Sequence, residues 1–226
     1  MNIKEEHISV QRTARFFSYG QANSGTKRLW IVLHGYGMLA SSILKRLSSF
    51  DPDSEYVVAP EGLSRFYWDG FGGKRVASWM TSEDRLHEIA DYVAYLDLLF
   101  AQIMDRLAAE NVDMNDLEVN VLGFSQGTAT ATRWLANGKS KADNVVFWGG
   151  PLPDDVEWET ALPIFNSCKK VLFLHGSADP FIRLEHMQSH EKKLRALGLK
   201  FDLLQYTGAH DVVDDGLEKM WKLLSE

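Results

Sequence analysis

Mainly apolar runs alternate along this chain with segments whose apolar residues recur every three or four positions. The runs are Leu29–Leu33, Tyr56–Ala59, Leu117–Leu122, Val145–Trp148, Val171–Leu174 and Phe201–Tyr206. Runs of this length and continuity predict strands buried on both faces. His7 to Phe17 alternates loosely and predicts one or two edge strands. Leu86, Ile89, Val93, Leu96, Phe100, Ile103 and Leu107 mark one face of a long amphipathic helix. Thr81 or Ser82 is its expected N-cap, with Glu83 and Asp84 suited to its positive end. Further helices are expected over Ser42–Leu47, Thr128–Leu135 with a stop at Gly138, Leu184–Leu197 and Val212–Leu224. Buried strands separated by helices predict an α/β fold, a mostly parallel, doubly wound sheet with helices on both faces. Gly62 to Met80 fits neither period and reads as a long loop rich in aromatic residues.

Composition narrows the picture. With 226 residues and no linker-like tract, the chain reads as one domain spanning 1–226. Hydrophobic residues make up 45%, enough for a sizeable core. A net charge of −7 argues against a nucleic-acid partner, which requires a basic face. The lone Cys168 excludes an intramolecular disulfide and suits a reducing compartment. The N-terminus carries no apolar signal core, and no run approaches the roughly 20 residues that cross a bilayer. A cytoplasmic protein is expected. No His/Cys/Asp/Glu grouping has metal-ligand spacing, so neither a metal nor a cofactor is expected.

The chemistry gathers where the strands end. Leu117–Leu122 runs into Gly123-Phe124-Ser125-Gln126-Gly127, and a helix follows at once. That is the G-x-S-x-G nucleophile elbow in its strand–turn–helix setting. The turn is sharp enough to force Ser125 toward positive φ and to demand glycine two residues either side. The strand Val171–Leu174 leads to His175-Gly176-Ser177-Ala178-Asp179-Pro180, and Phe201–Tyr206 leads to Thr207-Gly208-Ala209-His210. In parallel sheets, functional residues sit at the carboxyl ends of strands. A serine hydroxyl is a poor nucleophile near neutral pH, so His210 would take its proton and Asp179 would orient the imidazole. The order Ser, Asp, His is that of α/β-hydrolases. Acyl transfer also needs donors for a tetrahedral oxyanion, each worth about 3–4 kcal/mol. The backbone N–H groups of Gln126 and of Tyr36, in His34-Gly35-Tyr36-Gly37, are the candidates. His34 is expected to order that loop and His175 the acid loop, while His87, His186 and His190 are expected to be solvated on helices.

With these segments assembled, the chain resembles the phospholipase/carboxylesterase family of α/β-hydrolases, which includes acyl-protein thioesterases. Leu33–Gly37, Gly123–Gly127, Gly149–Pro153, His175–Pro180 and Tyr206–His210 carry the resemblance, which extends from about Leu29 to His210. It departs from the family pattern at Met38 and at Phe181-Ile182-Arg183. The resemblance implies a minimal α/β-hydrolase without a large cap domain, acting on a small-molecule ester or thioester. The aromatic loop is expected to wall the substrate pocket, with Trp79, Met80, Leu152 and Phe181 as its lining. A serine esterase or thioesterase is the leading function. A peptide- or amide-cleaving hydrolase and a non-catalytic ligand-binding protein of the same fold are the alternatives.

Overall fold

The computed structural model describes residues 1–47, 49–182 and 184–226, the side chains of residues 184–187 excepted. Seven strands form one sheet in the order β1-β3-β2-β6-β7-β8-β9, and β4 and β5 form a separate pair. The strands of the large sheet are β1 (Phe16–Tyr19), β2 (Arg28–Leu33), β3 (Glu55–Pro60), β6 (Glu118–Phe124), β7 (Asn144–Trp148), β8 (Lys170–Gly176) and β9 (Asp202–Tyr206). Every pairing is parallel except that of β1 with β3. The pattern follows from the runs themselves, because successive residues of a strand face opposite ways. In β2, Leu29, Ile31 and Leu33 enter one core, while Trp30 and Val32 enter the other. In β7, Val145 and Phe147 pack with the first core, and Val146 and Trp148 with the second.

The first core is covered by α2 (Arg85–Ala109), α3 (Gln126–Asn137), α4 (Trp158–Asn166) and α5 (Leu184–Ala196). The second is covered by α1 (Ala40–Leu44), a 3₁₀ turn over Lys45–Leu47, and α6 (Asp214–Leu224). This is the doubly wound α/β arrangement, with helices on both faces of a mostly parallel sheet.

Several local expectations are corrected. Residues 7–15 form no strand, and only Phe16–Tyr19 pairs with the sheet edge. The long helix starts at Arg85, not after Thr81 or Ser82. The Thr81 hydroxyl accepts the Glu83 N–H at 3.2 Å, and its own N–H goes to the Glu88 carboxylate at 2.6 Å. Thr81 thus closes a small turn ahead of the helix, and Asp84, at φ +46°, takes the cap position. Gly62 to Met80 is an antiparallel hairpin of β4 (Ser64–Tyr67) and β5 (Arg75–Ser78). Helix α4 was not anticipated; Pro163 lies within it and obscures its period.

Candidate active site

The elbow takes the form its sequence requires. Ser125 has φ +55° and ψ −115°, a strained conformation for a residue with a side chain. Gly123 and Gly127 permit it by close contact: a Cβ on Gly123 would lie 2.3 Å from the Gly127 carbonyl oxygen. One on Gly127 would lie 2.2 Å from the Leu33 oxygen. Thr128, on the first turn of α3, donates its hydroxyl to the Gly123 carbonyl at 2.9 Å and closes the turn from behind.

Two neighbouring strand ends bring the partners. The His210 Nε2 lies 2.9 Å from Ser125 Oγ, and its Nδ1 lies 2.7 Å from Asp179 Oδ2. The other Asp179 oxygen accepts the Phe181 N–H at 2.9 Å. Asp179 is buried, so its carboxylate is held by donors on both oxygens and is not free to rotate. An unprotonated carboxylate at Nδ1 makes that nitrogen the donor and leaves Nε2 to face the hydroxyl as acceptor. The ring of His210 is sandwiched between Phe124, 5.0 Å away, and Phe181, 4.9 Å away. Its loop is braced from below. The Asp211 carbonyl accepts from Trp148 Nε1 at 3.0 Å and from the Tyr206 hydroxyl at 2.9 Å. Arg46 pairs with the Asp211 carboxylate.

The loop His34–Gly37 leaves the end of β2 beside the elbow, where a Cβ on Gly35 would lie 3.1 Å from the Ser125 Cβ. Strand β5 holds it. Gly37 N–H donates to the Ala77 carbonyl at 3.0 Å, and Ala77 N–H donates to the Met38 carbonyl at 3.3 Å. Gly37 sits at φ +68° with the Trp68 ring where its Cβ would be, which glycine alone accommodates. Among the described residues, the N–H groups of Tyr36 and Gln126 have no hydrogen-bond acceptor in the protein. The Gln126 side chain faces the other way. It accepts the Trp79 N–H at 3.1 Å and donates to the Met80 carbonyl at 2.8 Å, tying the elbow to the hairpin.

His34 orders this region through two bonds. Its Nδ1 donates to the Gly35 carbonyl at 2.8 Å, and its Nε2 accepts the Gly62 N–H at 3.0 Å. Burial pushes its pKa down to about 4, so the ring is neutral, as an acceptor Nε2 requires.

The expected pocket residues fare differently. Trp79 is 2% exposed; its ring stacks on His34 and its Nε1 donates to the His34 carbonyl at 2.8 Å. It is a core residue beneath the His34–Gly37 loop, not a wall facing substrate. Met80 is half-buried, and Leu152 is buried with its N–H on His190 Nε2 at 3.3 Å. Phe181 is 76% exposed and covers His210 from solvent. An apolar cavity of about 280 Å³ opens beside it, lined among others by Gly150, Phe173, His175, His190 and Leu203. A Cβ on Gly150 would lie 2.4 Å from the Ser125 carbonyl oxygen, so the cavity adjoins the elbow.

His190 is therefore not a solvated helix residue; burial lowers its pKa, as it does for His175 in the same cavity. The His186 side chain and Arg183 lie outside the described residues. His87 pairs with Asp84, and His7 reaches both from a segment distant in sequence, an encounter that no local spacing reveals. Sequence reasoning also missed Glu61. Its buried carboxylate accepts from Arg15 at 2.7 Å and from the Ala40 N–H at 3.3 Å, anchoring the start of α1 behind the loop. Its only signal was a lone acid directly after a buried strand.

Comparison with known proteins agrees with this fold. The family model described as Phospholipase/Carboxylesterase matches residues 21–226. The structure of Zea mays acyl-protein thioesterase 2 is similar at a TM-score of 0.67 and 21% identity, covering 94% of this chain and 98% of that one. A carboxylesterase from Mesorhizobium loti is similar at a TM-score of 0.71 and 16% identity, covering 94% of each chain. A Bacillus cereus carboxylesterase is similar at 0.64 and 14%, covering 94% of this chain and 93% of that one. No curated protein sequence matches. The chain belongs to the phospholipase/carboxylesterase family of α/β-hydrolases and is an enzyme of the carboxylesterase type.

Proposed function

We propose that the chain cleaves carboxylic esters or thioesters through an acyl-enzyme on Ser125. The observation that carries this reading is the continuous line from Ser125 Oγ through His210 to Asp179, at 2.9 and 2.7 Å, on a positive-φ elbow. His210 Nε2 takes the hydroxyl proton as Oγ attacks the substrate carbonyl, and the imidazolium so formed is stabilised by Asp179. The N–H groups of Gln126 and Tyr36 receive the oxyanion, and the proton then passes from His210 to the leaving alcohol or thiol. Water, deprotonated by the same nitrogen, releases the acid.

The acyl part is assigned to the apolar cavity beside Phe181, whose ring belongs to both the cavity wall and the cover over His210. Similarity to an acyl-protein thioesterase supports including thioesters in the substrate class. The single thiol suits a cytoplasmic setting. A fluorophosphonate tests the nucleophile: one adduct is expected on Ser125 and none in Ser125→Ala. Folded wild type that stays unlabelled would remove the catalytic claim. Esters of graded chain length, assayed beside one acyl thioester and one amide, then define the scissile bond. Faster turnover of the amide would favour the peptidase alternative.

A further inference from the structure

His7, Asp84 and His87 lie together on the surface at the start of α2, their ligand atoms all within 4.8 Å of one another. The Asp84 carboxylate bridges the two rings, with Oδ1 2.6 Å from His87 Nδ1 and Oδ2 3.2 Å from His7 Nε2. A second carboxylate, Glu5, has Oε1 3.3 Å from the same His7 nitrogen. The imidazoles stack with centroids 4.0 Å apart. We propose that this cluster is a binding site for a late first-row divalent ion such as Zn²⁺, and that the ion clips the N-terminal arm to α2.

The argument is geometric and chemical. Zinc binds nitrogen and oxygen ligands at about 2.0–2.2 Å, so the ligand atoms of a tetrahedral site stand roughly 3.3 Å apart. The separations here, from 2.6 Å to no more than 4.8 Å, bracket that value, and the exposed rings need only turn about their side-chain bonds to close the remainder. Two imidazoles with carboxylate suit zinc, nickel or copper, not magnesium or calcium, which prefer all-oxygen shells. His87 would bind through Nδ1 with its proton on Nε2, and His7 through Nε2. The positive end of α2 opposes a cation, and the carboxylates of Asp84 and Glu5 offset it.

The site's placement gives it a role. Residues 1–15 form no helix or strand, and the family match begins only at residue 21. A groove of about 800 Å³ runs between this arm and α2. At the far end Arg15 holds the arm, through Glu61 and through a bond from the Tyr95 hydroxyl to its carbonyl. At the near end the attachment is His7 on Asp84. An ion there would convert a solvated hydrogen bond into coordination, fixing the exposed stretch that includes Arg12.

The test uses the full chain and zinc chloride. Calorimetric titration should show one ion per chain, with affinity at least about tenfold weaker in His7→Ala, His87→Ala and Asp84→Asn. Zinc should slow tryptic cleavage after Arg12 in wild type and leave His7→Ala unaffected. Ester turnover in His7→Ala should match wild type, since His7 touches none of the hydrolytic groups. Absence of uptake by wild type, or variants that titrate like it, would overturn the site. Uptake without protection at Arg12 would overturn the clip.

Discussion

Acid should destabilise this protein through His34, by an amount the structure sets. The His34 Nε2 accepts the Gly62 N–H inside the protein, so a proton there would break that bond and bury a charge. Burial lowers the folded pKa from 6.5 to about 4. The sign follows from which state takes up protons. Above pH 6.5 neither state protonates this ring, and the full stability is present. Between 6.5 and 4 the unfolded chain binds a proton that the folded chain refuses, so stability falls as pH falls. Below 4 both bind it and the loss levels off. The loss is about 2 kcal/mol by pH 5 and about 3 kcal/mol by pH 4. Urea unfolding of wild type and His34→Gln at pH 7.5, 6, 5 and 4.5 isolates the effect. Glutamine retains a donor and an acceptor but does not titrate. The variant should start less stable and then lose less on acidification, with the two curves converging by about 2 kcal/mol at pH 5. Parallel curves would refute the assignment, because other carboxylates and histidines titrate equally in both proteins.

Asp179→Asn should leave the fold and the unfolding midpoint near wild type but cut kcat by about 10⁴, as expected when the imidazole tautomer is lost; a loss under tenfold would count against Asp179 as the orienting acid. Trp79→Ala should cost about 3–5 kcal/mol in urea unfolding, because the ring is buried against His34 and Tyr92. A stable variant with altered chain-length preference would instead restore Trp79 to the pocket wall. Cys168 should alkylate about a hundredfold more slowly than an ordinary thiol in native protein at pH 8, since burial raises its pKa from 9.0 to about 11. Iodoacetamide labelling followed by mass spectrometry checks this; rapid modification of folded protein would contradict it.

Much of the fold was legible because its signals are local. Strand β7 reads Asn-Val-Val-Phe-Trp and is buried at every position, which a parallel sheet covered on both faces requires. The positive φ of Ser125 follows from glycines that leave no space for a Cβ. Ser125, Asp179 and His210 were each placed at a strand terminus by the sequence, and parallel topology brings those termini to one edge. Whether the three would meet at hydrogen-bonding distance depended on the sheet order β6-β7-β8-β9, which no local pattern contains.

What only the tertiary structure decided is where long-range partners fall. Trp79 looked like pocket lining because an aromatic residue in an irregular stretch has no period to orient it. Pairing of β5 with β4 and with Met38 turns it inward, onto His34. Glu61 gained its role from Arg15 and Ala40, 46 and 21 residues away. His7 and His87 are brought to one carboxylate by an arm that makes no regular structure. Sequence spacing reports neighbours along a strand or a helix turn; contacts made by folding the chain back on itself leave no such mark.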